Sequence, residues 1–245
     1  MRILTIPDIH LKPYIFEAAA RILDSGAADL AVCLMDIPDD WGQEQNRSLY
    51  EMTFDAAIGF ARQYPETLFC WGNHDLAYVW NKSVSGHSYA MSIIVNDKIK
   101  ELQSVAGDNL QYVHLVDNVL FSHAGLGDYF SWAYMEGVES MSTEEVVEKI
   151  NRMKAADLWC DASPLWLRPQ YGASRMFREE ELIQVAGHTP VERIFRSGSL
   201  ISCDTFSTYR DGTPIGDRTF LVIDTGDPEK DLLIFDEKGE RRCVL

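Results

Sequence analysis

Residues 3–6 form a short, mostly apolar run that ends at Pro7-Asp8, the pattern of a short buried strand feeding a loop. Residues 14–25 follow with helical spacing: Ile15, Ala18, Ala19, Ile22 and Leu23 share one side, and Gly26 supplies a stop. A second apolar run covers residues 30–35. Residues 49–64 again read as a helix, with apolar positions at 49, 52, 53, 56, 57 and 60. A third strand over residues 67–71 is broken by Gly72-Asn73. Strand and helix therefore alternate, which predicts a parallel sheet with helices packed on it.

The middle of the chain predicts a helix over residues 88–102. Two short strands then share 112–122, with Asp117-Asn118 as their turn, and a helix over 143–158 is capped by Ser142 or Thr143. The tail changes character. Residues 182–186, 193–195, 200–203, 220–224 and 231–235 read as strands joined by Gly, Asp and Pro turns. No linker or repeat interrupts the chain, so one α/β domain over residues 1–245 is expected.

Composition narrows the function classes. The formal net charge is -16. Long nucleic acids and anionic membranes select Lys and Arg, so neither is an expected partner. A phosphate-bearing substrate stays compatible, because bound cations reverse the local sign of a site. The apolar start is too short for a signal core or a membrane span. Cys33, Cys70, Cys160, Cys203 and Cys243 show no close-spaced pair, which reads as reduced thiols in a cytoplasmic protein.

Candidate chemistry sits where the apolar runs end: Asp8-Ile-His10, then Asp36 with Asp39-Asp40, then Gly72-Asn73-His74-Asp75, then His123-Ala-Gly125, then Gly187-His188-Thr189-Pro190. Loops after the carboxyl ends of parallel strands gather on one edge, where ligands bind. Imidazole, carboxylate and amide oxygen together suit divalent ions, with Mn preferred and Fe, Zn or Ni as alternatives. A metal pair roughly 3.5–4 Å apart lowers the pKa of a bridging water and clamps phosphoryl oxygens. His74, beside Asn73, is the candidate acid for the leaving oxygen, with Asp39 holding its ring.

These ordered motifs resemble those of the calcineurin-like metallophosphoesterase superfamily. The Asp36/Asp39 spacing and the Gly-His-Thr-Pro ending are most similar to the phosphoprotein phosphatase branch and its bacterial relatives, symmetrical diadenosine tetraphosphatases included. The resemblance implies a four-layer α/β/β/α sandwich with a dimetal site at strand carboxyl ends. It implies Asp8, His10 and Asp36 on one ion, with Asp36 bridging to a second held by Asn73, His123 and His188, and it repeats the His74/Asp39 acid pair. The expected activity is hydrolysis of phosphomonoesters or nucleotide-type phosphoanhydrides by a bridging hydroxide. The substrate is then a phosphorylated small molecule, a nucleotide or a phosphoprotein. A phosphodiesterase on the same fold and a metal-containing binding module are the alternatives.

The chain also departs from that pattern. The family's arginine after the second aspartate is Asp40 here, the arginine before Gly-Asn-His is Trp71, and the small residue after Asp-x-His is Leu11. Arg168, in Leu165-Trp-Leu-Arg168-Pro, is the first choice for a replacement phosphate clamp, ahead of Arg175, Arg178 and Lys12. Trp41 and Trp71 are candidates for an apolar substrate wall. Asp40 reads as a solvated rim residue, Asp75 as part of its own turn, His87 and His114 as structural, and Glu179 to Glu181 as a solvated helix face.

Overall fold

Side chains that alternate across a strand let one sheet bury both faces, and this chain uses that twice. The computed structural model describes residues 1–172, 174–228 and 232–242. Its first half runs β1 (Arg2–Ile6), α1 (Tyr14–Asp24), β2 (Leu30–Cys33), α2 (Arg47–Gln63), β3 (Leu68–Cys70), α3 (Asn73–Val79), α4 (Ser92–Ala106), β4 (Leu110–Gln111), β5 (Val113–Val116) and β6 (Val119–Ser122). There follow α5 (Asp128–Tyr134), α6 (Thr143–Asn151), α7 (Ala155–Leu158), β7 (Ile183–Ala186), β8 (Phe195–Ser197), β9 (Leu200–Ser202), β10 (Thr219–Asp224), β11 (Leu233–Asp236) and β12 (Arg241–Arg242).

The strands form a seven-stranded sheet, β12-β11-β10-β1-β2-β3-β4, and a five-stranded sheet, β5-β6-β7-β9-β8. β1 through β4 are parallel, as the alternating pattern predicts. The tail strands β10 to β12 extend that sheet antiparallel from the other side of β1. Ile3, Val32, Cys70, Leu221 and Ile223 pack with Val119, Phe121, Val185 and Ile201 between the two sheets. The alternate residues Leu4, Ile6, Ala31 and Cys33 share a separate cluster with Ile15, Ala18 and Ile22 of α1 and Phe54 of α2. The layering is therefore helix, sheet, sheet, helix.

Several expectations need adjusting. The helix expected over 143–158 is two, α6 and α7. α6 opens on a capping box in which Ser142 Oγ accepts from Glu145 N at 3.2 Å and Ser142 N donates to Glu145 Oε2 at 2.7 Å. It ends where the Asn151 side chain docks on β5, accepting from Tyr112 N and Val113 N at 3.0 Å each. The acidic run at Glu179 is a turn rather than a helix face. α3 and α5 are short helices of seven residues each without a counterpart among the elements expected from the sequence. Cys33, Cys70, Cys160 and Cys203 are free thiols, while Cys243 and residue 231 lie outside the described residues. Among the described residues no helix is long and apolar enough to cross a membrane.

Phe121 is fully buried between the sheets. Phe121→Ala is expected to cost about 3–5 kcal/mol in urea unfolding, through lost transfer energy and the cavity left behind.

Candidate metal centre

The loops after β1 and β2 are zipped to each other. Ile9 N donates to Met35 O at 3.0 Å, His10 N to Asp36 O at 2.8 Å and Leu11 N to Ile37 O at 3.0 Å. This pairing sets His10 beside Asp36 and holds His10, Leu11, Met35 and Asp36 in the left-handed region, with φ of 40°, 56°, 58° and 45°. Non-glycine residues there are strained, and such strain persists only where surrounding structure imposes it. Leu11 thus occupies a conformation that suits glycine, which accounts for the small residue usual at that position.

Asp75 does more than close its own turn. Its carboxylate accepts from Asp36 N at 2.8 Å, Ile37 N at 3.1 Å and Gly72 N at 3.2 Å, tying the β2 and β3 loops together. Two glycines permit close approach to the site carboxylates. A Cβ on Gly72 would land 2.0 Å from Asp36 Oδ1, and one on Gly187 would land 2.0 Å from Asp8 Oδ2.

The sequence-predicted ligands converge from both sheets. Asp8, His10, Asp36 and Asn73 come from the seven-stranded sheet, while His123 and His188 follow β6 and β7 of the other. Donor atoms of Asp8, His10 and Asp36 lie within 4.8 Å of one another, and so do those of Asp36, His123 and His188. Asp36 belongs to both groups. His123 Nδ1 donates to Leu34 O at 2.9 Å, and His10 Nδ1 donates to Asp39 O at 2.9 Å. A carbonyl only accepts, so in the neutral ring Nε2 of each histidine presents a lone pair. His123 Nε2 then lies 2.9 Å from Asn73 Oδ1, 3.1 Å from His188 Nδ1 and 3.3 Å from Asp36 Oδ2. Lone pairs crowded this closely call for a proton or a cation among them.

Burial sharpens that demand. Asp8 accepts from His188 N at 2.9 Å through Oδ1, but its buried Oδ2 has no hydrogen-bond partner among the described residues. Burial, then the charges of Asp204 and Asp36, push the Asp8 carboxyl well up. Burial would also push Asp36 up, but His123, His74 and His10 outweigh it and hold that carboxyl far below the usual range. Burial lowers His188, with His123 and Arg168 adding to it. A divalent cation would satisfy these unpaired atoms, and the mixture of imidazole, carboxylate and amide oxygen fits one.

His74 N donates to Asp36 Oδ1 at 2.9 Å, and its Nδ1 lies 3.0 Å from Asp39 Oδ2. Asp39 Oδ1 accepts from the hydroxyls of Tyr50 at 2.8 Å and Tyr78 at 2.5 Å. Burial would lower the His74 imidazole; Asp36 and the Asp39 hydrogen bond outweigh it and hold His74 up at about 8. That shift favours the protonated ring.

Around these groups a cleft is lined by Trp41, Val84, Trp166, Arg168, Pro190 and Thr208. Arg168 Nη1 donates to His188 O at 3.1 Å and Thr189 Oγ1 at 3.4 Å. The other clamp candidates point elsewhere. Lys12 Nζ is 2.8 Å from Asp40 Oδ2, Arg175 pairs with Asp128 and Glu179, and Arg178 donates to Thr143 and Met141. Asp40 is accordingly a paired, half-buried group rather than a solvated rim residue, and it also accepts from Thr208 Oγ1 at 2.7 Å. Trp41 lines the cleft; Trp71 is core, and Trp166 forms the second aromatic wall. His114 donates from a buried ring to Phe69 O at 3.0 Å, as a structural histidine does. Sequence reasoning missed Asp204, a buried carboxylate after β9 whose charge raises Asp8. It too stands at the end of an apolar run, the same signal that marked the other site residues.

Comparison with known proteins identifies the family and matches the fold. A family model described as calcineurin-like phosphoesterase matches residues 1–210. The crystal structure of a cold-active protein-tyrosine phosphatase from a psychrophilic Shewanella species is similar over the whole chain and 80% of its own, with 16% identity and a TM-score of 0.57. A protein serine/threonine phosphatase from Saccharomyces cerevisiae, with similarity to human PP5, is similar over 93% of this chain and 74% of its own, with 13% identity and a TM-score of 0.50. At these identities the likeness is one of fold. No curated protein matches the sequence significantly.

Gly187→Ala is expected to displace the Asp8 carboxylate while leaving the sheets intact. Circular dichroism should stay native, and elemental analysis should show most of the bound divalent metal lost relative to wild type. Unchanged metal content would mean that Asp8 holds no ion.

Proposed function

The chain belongs to the calcineurin-like phosphoesterase family, and on that footing we propose a metal-dependent phosphatase acting on phosphomonoesters or nucleotide-type phosphoanhydrides. The observation that carries this reading is Asp36, a buried carboxylate shared by two clusters of metal-ligating atoms and bonded to the backbone of His74.

Asp8, His10 and Asp36 would hold one divalent ion, and Asp36, Asn73, His123 and His188 a second, with Mn preferred and Fe, Zn or Ni as alternatives. When bound, the pair supplies Lewis acidity and a water acidic enough to serve as nucleophile near neutral pH. Asp8 and Asp36 contribute one negative charge each, so the site keeps a positive surplus for a phosphate. Arg168 supports the same end. Its hydrogen bonds go to a carbonyl and a hydroxyl, and no carboxylate pairs with it among the described residues, so its charge is available to a phosphoryl oxygen. His74 donates the proton that the leaving oxygen needs. Asp39 holds the ring through Oδ2 while the two tyrosine hydroxyls fix its other oxygen.

Trp41 and Trp166 give the cleft apolar walls, suited to a flat leaving group. The substrate is accordingly a phosphorylated small molecule, a nucleotide or a phosphoprotein side chain. Free, largely buried thiols support work in a reducing cytoplasm. A second reading, phosphodiester hydrolysis, draws on Asp40. Its carboxylate stands by the cleft where an arginine is usual, and a less cationic site favours a monoanionic phosphate.

The test is hydrolysis of p-nitrophenyl phosphate, beside its bis-ester, by chelator-stripped protein with and without Mn(II). Wild type should turn over only with metal, and Asp36→Asn should be inactive. His74→Asn should lower kcat by roughly 10²–10⁴ with KM nearly unchanged. Arg168→Ala should mainly raise KM, by about tenfold. Metal-independent turnover would overturn the proposal; preference for the bis-ester would select the second reading.

A further inference from the structure

Beside the cleft, on a residue that lines it, stands a cation that the reaction described above does not use. The guanidinium of Arg210 lies over the Trp41 ring, 4.9 Å from its centroid, and Trp41 lines the cleft. Arg210 is exposed and makes no ion pair among the described residues. The nearby Asp40 does not neutralise it, since its oxygens are taken by Lys12, Thr208 and Trp41 N.

Ordered structure delivers this cation. Arg210 stands at the tip of a small hairpin bridged between Thr208 and Pro214, with Tyr209 N donating to Thr213 O at 2.9 Å. Asp211 Oδ1 accepts from Thr213 N at 2.9 Å, and Gly212 N donates to Tyr209 O at 2.9 Å. The base is pinned to the cleft on two sides: Ser207 Oγ donates to Asp204 at 2.8 Å and Thr208 Oγ1 to Asp40 at 2.7 Å. A guanidinium resting on an indole uses its face there and keeps N–H edges for an anion, in the fork that matches phosphate.

We propose that Arg210, carried on Trp41, forms a second anion subsite at the cleft mouth, which selects phosphoesters bearing a further phosphate beyond the scissile one. The inference rests on the reading of the cleft as a phosphoester site. It deepens that reading from phosphate esters in general to bisphosphate or phosphate-chain substrates. Arg168 and the metal ligands take the scissile phosphoryl group, and Arg210 takes the distal one.

The test is calorimetric binding to Mn-loaded protein of alkanediol bisphosphates of graded chain length, each against the matching alkyl monophosphate, with phosphate release followed in parallel. Wild type should prefer the bisphosphate at one range of chain length. Arg210→Ala should cut that preference by roughly five- to tenfold, as expected for one charge-assisted contact at a partly exposed site. Arg210→Lys should retain part of it. A wild type without preference, or an Arg210→Ala protein with the wild-type preference, overturns the subsite. So does an Arg210→Ala protein that binds a nucleoside monophosphate more tightly while keeping the bisphosphate preference, since Arg210 would then be only a shield on Trp41. Binding preference lost in Arg210→Ala with no phosphate released from either ligand would uphold the subsite and reject the phosphatase reading instead.

Discussion

Asp36 places an almost fully buried carboxylate at the floor of the cleft and surrounds it with lone pairs. Oδ2 faces the Nε2 atoms of His123 and His10, at 3.3 and 3.9 Å, and Oδ1 takes the His74 amide. A buried charge in such company is costly unless positive charge is shared among the donors. In the protein alone the neighbouring imidazoles hold the Asp36 carboxyl far below its usual range. A divalent pair would supply positive charge, and would also satisfy Asp8 Oδ2 and the crowded nitrogens of His123 and His188. The site is thus arranged for cations before any substrate arrives, which is what electrostatic preorganisation requires.

The surrounding fold serves to hold that arrangement. Residues of opposite sheets must meet at Asp36, and the packing of Ile3, Val32 and Leu221 against Phe121 and Val185 fixes how closely the two sheets approach. The loops after β1, β2 and β7 reach the site through left-handed backbone at His10, Leu11, Met35, Asp36, Asp39 and His188. That strain is offset by the zipper between the β1 and β2 loops and by the three backbone amides gathered on Asp75. Gly72 and Gly187 leave room for the carboxylates that the same loops press inward.

Much of this was legible in the sequence because the informative signals are local. An apolar run that stops at a polar ligand type marks both a strand end and a site residue, and Asp8, His10, Asp36, Asn73, His123 and His188 all carry that mark. Residues whose role depends on the partner they meet were harder to read. Asp75 looks like a turn residue until the β2 loop is folded against it, and Tyr50 and Tyr78 look like core until their hydroxyls are found on Asp39. Asp40 and Lys12, far apart in sequence, become a pair only in three dimensions. The same holds for Trp71, whose place in the core shows only in the folded chain. Where the helix over 143–158 breaks, the cause is again tertiary: Asn151 turns its side chain to β5.

The account stands on divalent ions gathered at Asp36. Its most direct test is anomalous diffraction from crystals of Mn-soaked protein, collected above and below the Mn absorption edge. Two peaks roughly 3.5–4 Å apart are expected, one beside Asp8 and His10, the other beside Asn73, His123 and His188, with Asp36 between them. Anomalous density elsewhere in the protein, with none at Asp36, would contradict it.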